Sequence, residues 1–367
     1  MPLPRVQIII LNWNGYRDTV GCLASVFALD YSNFRVVVCD NGSSDGSLER
    51  IREWAEAGEI VTAREGSHTL PSIPVRRAPV PYVEYDRSLA ERGGSEGDDA
   101  PLVLIRTGGN LGFAGGNNVG LRYSLARGDS DYVWLLNNDT VVDAGALREL
   151  VAVATSDPRL AAVGGTLLEY DQPDVVQDVA GANFSRWHGM ITRIGHEKSA
   201  RAPRPVPERL DYISGGCMLV RASILPAIGL LDERFFIYGE DTDWCLRMQA
   251  ARYAIAYAPG ANIWHKNGGS SASGGPFQTF HNTRCPLLLI HKYQPARLPV
   301  AFGYSLYRCL LPKIVRRQGP ALRAVLRAYV DVARFIMAHR VPAIRRSSPV
   351  VAFESAELAL PEAASER

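Results

Sequence analysis

Several apolar runs in this chain stop abruptly at side chains able to hold a metal ion, a base or a proton. Tyr132-Val133-Trp134-Leu135-Leu136 runs straight into Asn137-Asn138-Asp139. Such a run reads as a buried strand, and ligands in open α/β sheets collect just past strand ends. One carboxylate with two neutral amides is a sparse oxygen set that hard divalent cations share with phosphate oxygens. A polar turn uses the same residues. Two further runs end in Leu11-Asn12-Trp13-Asn14-Gly15 and in Asp40-Asn41-Gly42-Ser43-Ser44-Asp45-Gly46. An ionised Asp40 accepts hydrogen bonds only, which suits the imide N–H of a uracil or thymine ring. An Asx-turn before Gly42 is its competing role.

Gly108-Gly109-Asn110-Leu111-Gly112-Phe113-Ala114-Gly115-Gly116-Asn117-Asn118 is neither a dinucleotide fingerprint nor a P-loop. Small residues opening a helix still let backbone N–H groups approach an anion, and Asn110 and Asn117 are candidates to reach a ribose or base, a merely tight loop being the competing role. Glu240-Asp241-Thr242-Asp243 sets three carboxylates within four residues at a helix start. Acids favour that position through capping and the helix dipole. Their mutual repulsion also keeps a proton affinity up, as a general base requires. Phe235-Phe236-Ile237-Tyr238 just before them offers a sugar-binding wall, and Tyr238, Glu240 and Trp244 are the candidates for acceptor or sugar contact. His265, in Trp264-His265-Lys266-Asn267-Gly268-Gly269-Ser270-Ser271, can complete a metal site or bind a diphosphate.

The elements that must position these groups alternate. Strands are expected at 6–11, 34–39, 102–105 and 132–136, and helices at 19–27, 46–57, 117–126 and 144–155, the second capped by Ser44 or Asp45. That order predicts an α/β fold with a parallel sheet between helices. Strands at 163–169, 212–220 and 254–258 and a helix at 242–251 continue it. Residues 62–100, rich in Pro, Gly, Arg and Glu, read as a partly disordered surface insertion with a short hairpin near 82–85. Beyond Arg284 the chain turns helical, with an amphipathic helix at 320–339 whose apolar face, Leu322, Leu326, Tyr329, Ala333 and Ile336, suits docking on the body or lying on an anionic membrane surface.

The 367 residues, 47% hydrophobic and 21% charged, are those of an ordinary globular protein. The net charge of +2 is unevenly spread. Residues 284–346 carry eleven Arg and two Lys against Asp331 alone, a net +12; residues 347–367 carry −3 and residues 1–283 carry −7. A basic arm on an acidic body points to an anionic surface, such as a membrane, for the arm alone, and no nucleic-acid partner is expected. The six Cys form no C-x-x-C pair and read as reduced thiols of a cytoplasmic protein. No apolar run reaches the ~18–20 residues of a membrane-spanning helix.

The ordered motifs I-I-I-L-N-W-N-G (8–15), V-V-V-C-D-N-G-S-S-D-G-S (36–47), N-L-G-F-A-G-G-N-N-V-G (110–120), L-L-N-N-D-T-V-V-D (135–143), I-S-G-G-C-M-L-V-R (213–221), F-F-I-Y-G-E-D-T-D-W-C-L-R (235–247) and W-H-K (264–266) cover most of residues 5–270. Together they resemble the family 2 inverting glycosyltransferases of GT-A fold, in particular the rhamnosyltransferase-like branch. The resemblance implies a Rossmann-like, mainly parallel mixed sheet over 1–283, a basic helical extension over 284–346 and a disordered tail over 347–367. It implies that Asp40 binds the pyrimidine of a dTDP- or UDP-sugar beside the backbone of Leu11 and Asn12, with Asn110, Asn117 and Asn138 lining the nucleotide pocket. Asp139 and His265 would hold Mg²⁺ or Mn²⁺, and Asp241 would be the catalytic base. Asn137 stands where the family carries the first Asp of its D-x-D motif, which shifts more of the metal's binding onto His265 and the diphosphate. The implied reaction moves a sugar, best matched by L-rhamnose from dTDP-L-rhamnose, to a saccharide or polyprenyl-diphosphate-linked acceptor for surface polysaccharide. The implied place is the cytoplasmic side, peripheral to the membrane, and a homodimer is left open. Hexosyl-, galactofuranosyl- or N-acetylhexosaminyl-transfer from a UDP-sugar, a sugar nucleotidyltransferase and an inactive nucleotide-sugar-binding protein are the alternatives.

Overall fold

The computed structural model describes residues 2–57, 79–202, 206–266 and 275–338. The chain begins β1 (Val6–Asn12), α1 (Tyr16–Val26), β2 (Phe34–Asp40), α2 (Ser47–Ala57), β3 (Tyr82–Asp86), α3 (Arg87–Ala90), β4 (Leu102–Arg106), α4 (Gly112–Arg127) and β5 (Tyr132–Asn137). Next come β6 (Thr140–Val142), α5 (Ala146–Ser156), β7 (Leu160–Glu169), β8 (Val176–Val179), β9 (Gly181–Phe184), β10 (Ile191–Arg193) and β11 (Tyr212–Ile213). β12 (Cys217–Arg221), α6 (Leu225–Ile228), α7 (Glu240–Ala250) and β13 (Ala254–His265) complete the body. The C-terminal helices are α8 (Pro276–Tyr293), α9 (Leu298–Ser305), α10 (Leu311–Val315) and α11 (Gly319–Ala338).

Ten strands make one mixed sheet in the order β3-β4-β2-β1-β5-β12-β7-β13-β6, with β8 also paired to β7. β3 through β5 are parallel, and β12 runs against both β5 and β7. Alternate residues of the central strands enter opposite cores, as a period of two requires. Ile8, Val36 and Trp134 face one core, and Ile9, Val37 and Val133 the other. A second sheet of three strands, β10-β9-β11, stands beside the first. Register aligns the polar strand ends, with Asn12 opposite Asp40 and Leu11 opposite Asn137. The three motifs therefore share one edge of the sheet.

Three expectations change. Tyr82–Asp86 is not half of a hairpin but an edge strand parallel to β4, its Tyr85 buried against Tyr123. Residues 62–78 of the expected insertion, and the tail 347–367, lie outside the described residues. The run expected at 212–220 splits into β11 and β12 around a turn at Ser214-Gly215-Gly216. The basic extension is packed: α8 spans the expected boundary at 283/284, and α11 buries Val325, Ala328 and Val332. The face that periodicity marks on this helix is only partly covered: Leu322, Tyr329 and Ile336 are half-buried, and Leu326 and Ala333 are exposed. Among the described residues no helix is long and apolar enough to cross a membrane.

Candidate active site

Asp40 ends β2 with its carboxylate already oriented. Its Oδ1 accepts from Asn12 Nδ2 (2.8 Å) and its Oδ2 from Ser43 N (3.2 Å). Asn12 is fully buried, and its Oδ1 accepts from Thr19 Oγ1 at 2.8 Å, so this side chain positions Asp40. Gly42 has φ +75°, and a Cβ there would lie 2.7 Å from Gly109 Cα. Only glycine lets the β2 loop lie against the Gly-rich loop. Asn110 fixes that contact by accepting from Asn41 Nδ2 (3.2 Å) and from Gly112 N (2.9 Å). Leu11 seats on α4, where a Cβ on Gly116 would meet its Cδ1 at 2.3 Å. Asn117 is 1% exposed and donates to Phe113 O of its own helix at 2.9 Å, so the structure does not bring it to an open surface.

At the end of β5 the three side chains of the triplet diverge. Asn138 is buried and donates to Thr19 Oγ1 (3.0 Å), tying β5 to α1 rather than facing a ligand. Asp139 Oδ1 lies 3.1 Å from His265 Nε2, brought there by the pairing of β13 with β6 and β7. Asn137 Nδ2 is 3.2 Å from the same nitrogen, and His265 Nδ1 is 2.8 Å from Gln177 Oε1. Because Gln177 Oε1 only accepts, the Nδ1 proton points to it and Nε2 is turned toward Asp139. Burial pulls the imidazole pKa down, but Asp139, with Asp178 and Glu169, outweighs it and leaves the pKa raised. A carboxylate oxygen and an imidazole nitrogen converging in this way fit a divalent cation. Among the described residues no third His, Cys, Asp or Glu joins them, so most of the coordination would fall to phosphate oxygens and water.

The third group stands at the start of α7. Asp241 Oδ1 accepts from Thr242 N (2.6 Å) and Oδ2 from Gly215 N (3.3 Å). Its pKa is raised by burial. Glu240, buried and with no partner for Oε2 among the described residues, is raised by burial and by the Asp241 charge. The turn at 214–216 connects this group to the strand end. Gly216 O accepts from Asn137 N at 3.2 Å, and a Cβ on Gly215 would lie 3.8 Å from Asp241 Cβ. Tyr238 is half-buried at φ +66° just ahead of the helix. Trp244 is a correction: it is fully buried, and its Nε1 donates to Gly229 O at 2.8 Å. It belongs to the α7 face that packs on the sheet and meets no acceptor. Asp243 is likewise buried and paired with Arg247 (2.8 Å), Lys292 and Tyr293.

Sequence reasoning missed β8. Gln177 orients His265, and Asp178 next to it is a buried carboxyl whose Oδ1 has no partner among the described residues. Burial raises its pKa to about 7, against the opposing charges of Arg193 and His265. A polar pair inside the apolar run Val175-Val176-Gln177-Asp178-Val179-Ala180 was the available signal.

Residues 90–280 match the model of glycosyltransferase-like family 2, and residues 7–68 that of glycosyl transferase family 2. The chain belongs to glycosyltransferase family 2. This family 2 chain is 29% identical over 147 residues to a low-salt glycan biosynthesis hexosyltransferase of Haloferax volcanii, a match covering 40% of this chain and 46% of that protein. It is 27% identical over 236 residues to the N-acetylglucosaminyl-diphospho-decaprenol L-rhamnosyltransferase of Mycobacterium tuberculosis, covering 53% and 75%. Among solved structures, GalNAc-T7 with UDP, GalNAc and Mn²⁺ superposes with a TM-score of 0.54 at 12% identity, over 92% of this chain and 58% of that one. That likeness supports the GT-A fold and nothing finer.

Proposed function

We propose that the chain is an inverting glycosyltransferase that takes a sugar from a pyrimidine nucleotide donor and places it on a saccharide or lipid-linked saccharide. The turn at 214–216 carries this reading, because it ties Asp241 to the strand end that bears Asp139. Asp40, oriented by Asn12, takes the base. Asp139 and His265 would hold Mg²⁺ or Mn²⁺, which when bound supplies positive charge opposite the leaving diphosphate. Asp241 accepts the proton of an acceptor hydroxyl. As that oxygen bonds to the anomeric carbon, the bond to the donor's diphosphate oxygen breaks, and its electron pair leaves with the nucleotide. A single displacement inverts the carbon. L-Rhamnose from dTDP-L-rhamnose is the first candidate donor, supported by the motif set and by the rhamnosyltransferase activity of the mycobacterial relative. The hexosyltransferase activity of the archaeal relative supports a hexosyl donor as the second. The cytoplasmic side is supported by six free cysteines, five of them buried.

Replacing Asp241 tests the base. Asp241→Asn keeps the carboxylate's shape and loses its basicity, so transfer should fall by about 10²–10⁴-fold while nucleotide binding in a thermal-shift assay persists. Transfer at the parent rate by this variant would remove Asp241 from the mechanism.

A further inference from the structure

Among the described residues, the C-terminal helices leave an apolar strip along α9 and α10 uncovered. From α9 through the π-helical turn Leu306–Leu310 into α10, the helix buries Ala301 and Ser305 against the body. There Phe302 packs on Tyr329 at 4.7 Å, and Ser305 Oγ meets Tyr329 Oη at 3.1 Å. Away from the body, Val300, Leu306, Tyr307, Leu311, Ile314 and Val315 are all exposed, Tyr307 by 64% and Val315 by 72%. Scattered exposed apolar residues are ordinary, but a run of this kind on one element marks a contact surface.

The chemistry around the strip selects its occupant. Arg308, Lys313, Arg316 and Arg317 interleave with it, and residues 298–330 contain no Asp or Glu. None of these four cations has a carboxylate within ion-pair distance among the described residues. The strip also continues onto the β9–β10 turn. Tyr304 stacks on His188 at 4.3 Å, and the Arg297 guanidinium lies over Trp187 at 3.9 Å. Trp187, Met190 and Ile191 are themselves exposed. Apolar side chains, a Trp and a Tyr, beside Arg and Lys that are unpaired among the described residues, make up the composition of an interfacial helix on anionic lipid. A second copy of the chain fits poorly, since a two-fold interface would set this cationic cluster against itself.

We propose that the strip formed by Val300, Leu306, Tyr307, Leu311, Ile314 and Val315, with its interleaved Arg and Lys, docks the protein on the surface of an anionic lipid bilayer. Interfacial insertion of the apolar side chains and attraction of the cations to lipid phosphates act together. The helix lies along the bilayer without crossing it.

Vesicle co-sedimentation of the full chain, with no donor or acceptor present, tests this apart from catalysis. Vesicles of phosphatidylcholine with 30% phosphatidylglycerol should retain the protein, and pure phosphatidylcholine vesicles should retain about tenfold less. Retention should fall as salt rises. Two variants separate the contributions: Tyr307→Ser/Leu311→Ser/Ile314→Ser, and Arg308→Glu/Lys313→Glu/Arg316→Glu/Arg317→Glu. Each should lose about tenfold in retention while keeping the parent's thermal unfolding and its turnover of a soluble acceptor. Equal retention by the parent and the charge variant overturns the proposal, as does no retention of the full chain. Sedimentation as a dimer that the apolar variant disrupts, without vesicle binding, assigns the strip to a second copy and overturns it too. Every one of these results leaves the assignment of Asp241 untouched.

Discussion

At the scale of single residues, burial holds two carboxyl groups of the site, Asp241 and Glu240, at raised proton affinity. Asp40 is fixed by Asn12, while Asp241 and Glu240 share one buried helix start. A raised Asp241 pKa means that the basic form is lost as pH falls through that raised value. The acid limb of kcat/KM should therefore lie above the ordinary aspartate value of 3.8 and report the pair rather than one residue. A pH–rate profile with its acid limb at that ordinary value would count against Asp241 as the base. Asp178 gives the opposite kind of signature, in stability. It ionises near 3.8 when unfolded and about 7 when folded, so the unfolded chain gains by ionising as pH rises from about 4 to about 7. Asp178→Asn removes that cost. Its stability relative to the parent should improve steadily between those limits, in urea titrations run with chelator, and should change little below pH 4. These roles were unequally legible. Asp139, Asp40 and His265 stand where apolar runs break, and a break shows in sequence. Gln177 and Asp178 sit inside a four-residue strand whose burial depends on distant partners. Trp244 was misread because adjacency to Glu240 and Asp241 says nothing about which helix face packs on the sheet.

At the scale of elements, the parallel half of the sheet was readable from alternating apolar runs and helical stretches. The remaining elements depend on tertiary pairing. β3 is five residues between prolines and charges, and it becomes a strand only because β4 offers an edge. The expected boundary at 283/284, drawn where the chain turns basic, cuts α8, whose last turn is fastened to α7. Tyr293 Oη donates to Asp243 Oδ1 at 2.6 Å, and Lys292 Nζ pairs with the same carboxylate. Tyr293→Phe removes one charge-assisted hydrogen bond while Arg247 and Lys292 still neutralise Asp243. The expected loss is about 2 kcal/mol, measurable as a lower urea midpoint with an unchanged slope. An unchanged midpoint would mean that the α7–α8 junction draws its stability from packing alone.

At the scale of the whole molecule, donor binding should join the pyrimidine end, at Asp40, to the metal end, at Asp139 and His265. A nucleotide that engages both stabilises the fold by mass action, about 2.7 kcal/mol at a hundredfold excess over Kd. Among UDP- and dTDP-sugars the true donor should raise Tm in the presence of Mn²⁺ or Mg²⁺, and chelation should remove most of the gain. Equal shifts with and without metal would leave Asp139 and His265 without their proposed ion. The bond from Tyr293 to Asp243 has a geometric consequence. It joins the helix that begins at Glu240 to α8, and α8 packs in turn on α9, which carries part of the exposed strip. With that strip resting on lipid, the base would stand at a set height above the bilayer. The enzyme would then act as a ruler, favouring acceptors whose reactive hydroxyl is presented at that height and passing over those too short or too long.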